Sequence, residues 1–406
     1  MPTQTELKML QSLPLEVKIQ KTRLRIQEFA EEFGEDCVYA AFSGGKDSTV
    51  LLHILRQMYP GLPAVFADTG LEYQGLRQFV KHYEHVTWVK PEITFKEVVI
   101  QYGYPVIGKE VASYVWVARH AKEGPYKQGR LERLEGTNRR KDGNLSIYNR
   151  PKYRFLLDAP FELSDICCRE MKKKPMHRFS RRTGKYPIIA TMAEESQLRK
   201  GKWLKSGCNS FQSKEPNSTP MAFWREQDIL RYLYQYHDEI LETIYDGYRN
   251  QGWPEEKIRM LDLKHPWADC YGEIEPYIKK NEVKGQISFH EYLGEYTDCK
   301  FRTTKCRRTG CIYCLFGITQ DRDRMLQVQR EEPKIADYVL RGGMFNERGM
   351  WQPDQRGLGF WFVIEWLNVH GNLSIVFEGK KEYEEQYGNE RTRSLLCPVF
   401  REITSI

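Results

Sequence analysis

The chain has 406 residues, 40% of them hydrophobic and 29% charged, with a formal net charge of +7. That is too apolar for a disordered chain and too long for one small domain, and no collagen-like, coiled-coil or low-complexity bias is present. The longest unbroken apolar runs, 37–42 and 360–364, fall far below the roughly 20 residues that cross a bilayer, and the start MPTQTELKML lacks a cationic then apolar leader, so a cytoplasmic protein is expected.

In chain order, apolar residues at Leu7, Leu10, Leu13, Val17, Ile19, Ile26 and Phe29 predict helix over the first 35 residues, broken at Pro14 and packed on the body of the protein. The run CVYAAF from Cys37 reads as a strand, SGGKDS as a glycine turn, and TVLLHILRQMY as a helix ending at Pro60 and Gly61. Leu62 to Asp68 is a second strand and Val86 to Val89 a third, with a helical stretch between them. Strands alternating with helices at this spacing predict an α/β fold with a parallel sheet. From Lys122 to Arg154 the pattern dissolves into Gly, Asn, Arg and Lys and reads as an insertion or long loop. Tyr186 to Met192 is a further strand, and the stretch from Met221 to Tyr236 a helix. A helical tail runs to about Leu340, and the aromatic-rich, glycine-rich last 65 residues or so show no decisive period.

Two features are local. Of ten cysteines, Cys167 and Cys168 are adjacent, while Cys306, Cys311 and Cys314 follow as C-x4-C-x2-C, a clustering that points to metal or redox chemistry. The positive charge is concentrated: Lys127 to Arg154 carries nine Lys or Arg against three acids, and Arg169 to Lys185 eight against one. Such stretches suit a polyanion, a pocket for nucleotide phosphates, or merely solvated loops.

The sharpest signal is Ser43-Gly44-Gly45-Lys46-Asp47-Ser48 between a predicted strand and a predicted helix. Two glycines let backbone approach a phosphate, the amides at the helix start point at it, and the helix dipole favours its charge. Ser43 and Ser48 add hydroxyls, Lys46 a cation, and Asp47 a magnesium ligand or a bond to the loop. It is not a Walker A loop, since G-x-x-x-x-G-K-[ST] is absent.

Here the chain resembles the adenine nucleotide alpha hydrolase superfamily, whose pyrophosphate loop is SGGxDS. Asp68-Thr69-Gly70-Leu71-Glu72-Tyr73, Glu195-Ser196 with Arg199, and Thr219-Pro220-Met221 with Trp224 and Asp228-Ile229 are similar to segments of its phosphoadenosine phosphosulfate reductase-like branch. The resemblance covers about residues 36 to 235 and, with the cysteine motifs, extends to about 330. It implies a Rossmann-like parallel-sheet core at 36–235, with a helical segment at 1–35 before it and a cysteine-bearing region at 236–406 after it. Asp68 and Glu72 would border the adenosine or metal site, and Arg199 would neutralise phosphate or acceptor charge. Lys109, after the strand at Pro105 to Gly108, is expected to make a second phosphate contact.

In the adenylyl-sulfate reductases of this family a C-C-x-x-x-K motif and a distant C-x-x-C hold a 4Fe-4S cluster. By resemblance Cys167, Cys168, Cys311 and Cys314 are the ligands and Lys172 a nearby cation. Zinc is the rival, because four thiolates also suit a tetrahedral site. Cys306 complicates the count, either as a ligand or as a neighbour of the cluster.

The departures matter equally. The family's reductases end in E-C-G-[IL]-H, whose cysteine attacks sulfur; here the end reads SLLCPVFREITSI, and Cys397 has no such neighbours. The intact loop suits a nucleotide with a pyrophosphate. The expectation is therefore cleavage of ATP to AMP and pyrophosphate, with Mg2+, coupled to sulfur or adenylyl transfer to an acceptor. This resembles the iron-sulfur sulfurtransferase of DNA phosphorothioation, and the basic segments would suit DNA or RNA. A sulfur-donor or accessory protein would complete such a system. Cys208 is a further catalytic candidate, against the ordinary reading of a buried apolar residue. The alternatives are a sulfonucleotide reductase drawing its thiol from Cys208 or Cys397, and a non-catalytic nucleotide- and nucleic-acid-binding subunit.

Overall fold

A computed structural model describes residues 2–277, 299–307, 309–312 and 314–397. Its strands, in chain order, are β1 (Val38–Ala41), β2 (Ala64–Ala67), β3 (Val86–Val89), β4 (Val106–Ile107), β5 (Tyr186–Ile189), β6 (Asn209–Ser210), β7 (Asn217–Ser218), β8 (Ile274–Tyr277), β9 (Lys300–Thr303), β10 (Leu315–Phe316), β11 (Met344–Phe345) and β12 (Trp351–Gln352). Two compact units interleave along the chain: Met1–Lys90 with Pro175–Gly310, and Pro91–Lys174 with Cys311–Ile406.

The first unit holds a six-stranded sheet in the order β3-β2-β1-β5-β7-β6. All neighbours are parallel except β6 and β7. The expected α/β core with a mostly parallel sheet is present. Tyr39, Val65 and Phe179 form a buried cluster in it. The helix Lys46–Met58 follows β1, with Val50, Leu51, Leu52, Ile54 and Leu55 wholly buried, so its apolar face supplies much of the packing. The strand order reverses between β1 and β5, the topological switch point where parallel sheets open a crevice at their carboxyl ends.

The amino-terminal helices Gln4–Gln11 and Leu15–Phe33 break at Pro14 as expected. The second is pinned to the unit by buried polar contacts: Lys18 Nζ meets Asp228 Oδ2 at 2.7 Å, and Trp224 Nε1 donates to Thr22 Oγ1 at 2.9 Å. Helix begins only at Glu226 and not at Met221, because Asp228 Oδ2 accepts the amide of Arg225 and caps the helix there.

In the second unit β4 pairs in parallel with β10, apart from the six-stranded sheet, and the helix Phe360–Gly371 is buried through Leu367. Residues 122–154 are not a loop. Helix Pro125–Glu135 starts on Gly124 and Pro125 and is followed by a hairpin bridged at Arg139 and Leu145, then by a 3-10 helix at Pro151–Asp158. Its packing hides from an apolar count, since Arg130 and Arg133 lie over the Tyr114 ring and Leu134 is the one fully buried aliphatic of that helix.

His53 is buried on the helix Lys46–Met58, with Nδ1 2.8 Å from the Tyr232 hydroxyl. Burial, helped by Arg23, lowers its pKa to about 4. Below the ordinary histidine pKa the unfolded chain takes up a proton that the folded one refuses, so stability present above pH ~6.5 is lost as pH falls toward 4, by at most about 1.4 kcal/mol per pH unit. Urea unfolding between pH 7 and 4.5 should show this slope, and His53→Gln should flatten it.

Candidate functional site

The loop after β1 is built from its own side chains. Ser43 Oγ lies 3.0 Å from Ser48 Oγ, the Ser43 amide donates to Ser48 Oγ at 3.2 Å, and Ser48 Oγ donates to the Gly45 carbonyl at 2.8 Å. Gly44 has φ +70°, and a Cβ there would stand 2.6 Å from Val80 Cγ2. Both the backbone region and the close approach demand glycine. Gly45 caps the helix Lys46–Met58, whose first turn carries Asp47 toward the positive end of the dipole.

This loop forms one wall of a cavity of about 350 Å3 at the switch point. Met192, Glu194 and Glu195, just past β5, form another wall. Glu226, Tyr271, Arg307 and Thr309 complete it. Lys46 Nζ is buried, bonded to Glu226 Oε1 at 3.1 Å and to the Arg307 carbonyl at 2.9 Å. Arg307 Nη2 holds Glu226 Oε2 at 2.7 Å. Burial works against the Glu226 carboxylate, but Arg307 and Lys46 outweigh it and keep its pKa below the usual range. Tyr271 reaches the loop too: its hydroxyl accepts the Lys46 amide at 3.3 Å and is bonded to Thr309 Oγ1. Burial raises the Tyr271 pKa, so it stays a neutral hydroxyl.

Of the expected residues, Ser43, Gly45, Lys46 and Asp47 line this cavity, with Gly44 and Ser48 shaping the loop. Arg199 ion-pairs with Glu195 of the wall. Asp68 and Glu72 are buried and shape the turn they belong to: Asp68 pairs with Arg77 at 2.9 Å and accepts the Gly70 amide, while Glu72 accepts the Thr69 amide and hydroxyl. Neither lines the cavity. Cys208 is buried, with its pKa raised by burial, and does not line it either. Glu194, Glu226, Tyr271 and Thr309 join the site without a sequence expectation for them. Glu194 adjoins the recognisable E-S-x-x-R stretch and Glu226 lies within W-x-x-x-D-I, while Arg307 directly follows Cys306 of the second cysteine motif.

The second unit gathers the cysteines. The Cys167 thiol donates a hydrogen bond to the Cys168 sulfur, both cysteines being free, and Cys167 also senses the charges of Cys314 and Cys311. Cys168 is held low in pKa by the Cys167 bond and, against burial, by Lys109 and Lys172; Cys167 is correspondingly raised. Burial and the neighbouring Cys311 push Cys314 up to about 12. Residues Arg169–Lys173 form a π-helical turn directly after Cys168, the local irregularity that brings Lys172 toward it. Arg324 Nη2 donates to the Cys311 carbonyl at 3.0 Å, and its charge acts on Cys314. Lys109, expected to contact phosphate, hydrogen-bonds Cys168 within the second unit, where β4 pairs with β10. Ile107, just before it, adopts φ +65°, a rare state for a β-branched residue. Cys306 belongs to the first unit, where its amide donates to the Cys270 carbonyl at 3.1 Å.

The phosphoadenosine phosphosulfate reductase domain model matches residues 37–315. The chain belongs to that family. Its switch-point crevice and nucleotide-type loop lie within the matched region of the reductase-domain family. Among solved structures, it is similar to a phosphoadenylyl-sulfate (PAPS) reductase from Candida auris in a phosphate complex, at 13% identity and a TM-score of 0.29, with 58% of this chain and 87% of that one covered. No curated protein matches it.

Gly44 and Gly70 separate strain from crowding. Both have positive φ, but a Cβ at Gly70 would meet nothing within 4 Å. Gly70→Ala should cost about 1–2 kcal/mol of backbone strain, and Gly44→Ala a further ~1–3 kcal/mol of overpacking. Denaturant midpoints of the two variants should differ in that order.

Proposed function

We propose that the cavity of the first unit binds ATP with Mg2+ and promotes attack of an acceptor oxygen on the α phosphorus, breaking the α–β phosphoanhydride bond so that pyrophosphate leaves; AMP then remains on the acceptor (adenylyl transfer) or is displaced by a persulfide from a sulfur-donor protein (sulfur transfer). The observation that carries this is the charge of the lining: Asp47, Glu194, Glu195 and Glu226 against Lys46 and Arg307. A polyphosphate entering a net acidic cavity needs divalent cations to screen it. Among the described residues no three His, Cys, Asp or Glu side chains could hold a metal ion by themselves. Magnesium is held by one or two carboxylates together with substrate phosphates, and the lining offers Asp47 for that role. The residues present fit such an ion, with Asp47 as its first carboxylate.

In this reading the amides of the Ser43–Ser48 loop and the end of the Lys46–Met58 helix hold the leaving pyrophosphate. The Lys46 ammonium, already oriented by Glu226 and the Arg307 carbonyl, turns to the charge that develops on it. Tyr271 sits where a phosphate oxygen would take the Lys46 amide, so its hydroxyl yields when nucleotide enters. Met192 supplies an apolar contact on the opposite wall.

For the second unit we propose a 4Fe-4S cluster on Cys167, Cys168, Cys311 and Cys314. What supports it is the donor set: four thiols in electrostatic contact, flanked by Lys109, Lys172 and Arg324, which would offset the anionic charge of such a group. Adjacent cysteines such as Cys167 and Cys168 are unusual ligands for zinc, which favours the cluster over a tetrahedral zinc site. The cluster would supply electron transfer or sulfur handling.

Family membership favours one second reading, a sulfonucleotide reductase. Calorimetric titration with Mg-ATP, adenylyl sulfate and 3'-phosphoadenylyl sulfate separates the two. ATP should bind best, fail to bind without Mg2+, and bind roughly 10- to 100-fold more weakly to Lys46→Ala, which removes a charge-assisted hydrogen bond; Asp47→Ala should weaken the magnesium dependence. Tight sulfonucleotide binding with sulfite release would replace the ATP reading. Separately, anaerobic reconstitution should load iron and sulfide into the wild type but not into Cys168→Ser. Lys109→Met should load normally yet show a more negative midpoint potential in an EPR redox titration, because a cation beside the cluster favours its reduced form.

A further inference from the structure

The basic stretch of the second unit carries an organised surface that the nucleotide reading does not use. Five side chains alternate in a row: Tyr126, Arg130, Tyr114, Arg133 and Tyr148, each guanidinium lying 5.0–5.7 Å from the rings on either side of it. The central Tyr114 is buried, while the end rings are open, Tyr126 at 61% and Tyr148 at 37% exposure. Beside Tyr148 stand Leu145 and Ile147, 56% and 65% exposed.

These residues lead into a hairpin that is held rigidly. The Arg140 amide donates to the Asn144 carbonyl and the Ser146 amide to the Asn138 carbonyl, both at 2.8 Å, and Asn149 Nδ2 ties its base to the carbonyls of Gly136 and Asn138. At the tip Arg139, Arg140 and Lys141 are exposed, Asp142 being the acid among them. Aromatic faces at both ends of a cationic row, next to an exposed cationic tip, match a chain that alternates flat bases with phosphates. A protein partner would have to be acidic and apolar together to cover the same residues.

We propose that this surface, the Tyr126–Tyr148 row with the 138–146 hairpin, docks single-stranded nucleic acid, with phosphates at Arg139 and Lys141 and bases stacked on Tyr126 and Tyr148. It names the acceptor class for the reaction proposed above, but the binding itself does not depend on ATP and is measured without it.

The test is fluorescence anisotropy of a 5'-fluorescein 16-nucleotide oligothymidylate with the full-length protein at several KCl concentrations. Binding should weaken linearly in log–log form with salt. Arg139→Glu combined with Lys141→Glu should weaken it at least tenfold and reduce the salt slope by about 1.4, at ~0.7 for each phosphate no longer neutralised. Tyr148→Ala and Tyr126→Ala should each weaken it roughly 5- to 150-fold with the slope unchanged. Unchanged circular dichroism and an unchanged thermal unfolding midpoint would show that the variants remain folded. The proposal is overturned if the oligonucleotide is not bound at 50 mM KCl, as a protein partner for this face would predict. It is equally overturned if charge reversal leaves binding unmoved, or if a duplex binds more tightly and the tyrosine variants have no effect.

Discussion

Gly44 carries the chain out of β1 and into the helix Lys46–Met58 with φ +70°, pressed against Val80 and Leu76. The direction of the loop amides and the placing of Lys46 and Asp47 at the positive end of the helix follow from that turn. So does their position over the crevice where strand order reverses between β1 and β5. A side chain at Gly44 would have to push aside the Val80 and Leu76 side chains of the helix Gln74–Lys81. One backbone conformation thus couples the packing of the sheet to the shape of the cavity.

Around that loop the charges are already engaged with one another. Lys46, Glu226 and Arg307 form a bonded set, Arg199 is paired with Glu195, and the Tyr271 and Thr309 hydroxyls occupy the start of the helix. Partly buried ions need such partners, because an isolated charge there is strongly disfavoured. Any anionic ligand entering this cavity must therefore exchange partners with these groups. Exchange of this kind favours ligands that reproduce the hydrogen bonds and ion pairs they displace, which would give the proposed site a physical basis for discriminating between a triphosphate and a sulfonucleotide.

The cysteine region follows a different rule. Its thiols come from the residues just before a π-helical turn and from the residues ahead of β10, and its cations come from three separate elements. Lys109 arrives by way of the strained Ile107, a cost that the pairing of β4 with β10 sustains. Positive charge contributed from several directions stabilises anionic sulfur whatever group the thiols bind.

The features legible in the amino-acid order alone are local ones. The strand, glycine loop and helix at 38–58, the Pro14 break and the parallel α/β core are written in short-range periodicity or spacing, whereas the joining of the two cysteine motifs is implied only by the family resemblance. Glycine at position 44 and serines at 43 and 48 close the loop from within six residues, so no distant partner is needed to recognise it. Which distant residues join that loop is settled by the folded chain. Glu226, Tyr271, Arg307 and Thr309 lie 180 or more positions away and carry no periodic signal. Lys109, expected to contact phosphate, hydrogen-bonds Cys168 within the second unit, since strand partnership, not strand propensity, sets a loop's neighbours. The region 122–154 resembles a loop in sequence for a related reason: its helix packs through arginine on tyrosine, and a count of apolar residues registers neither.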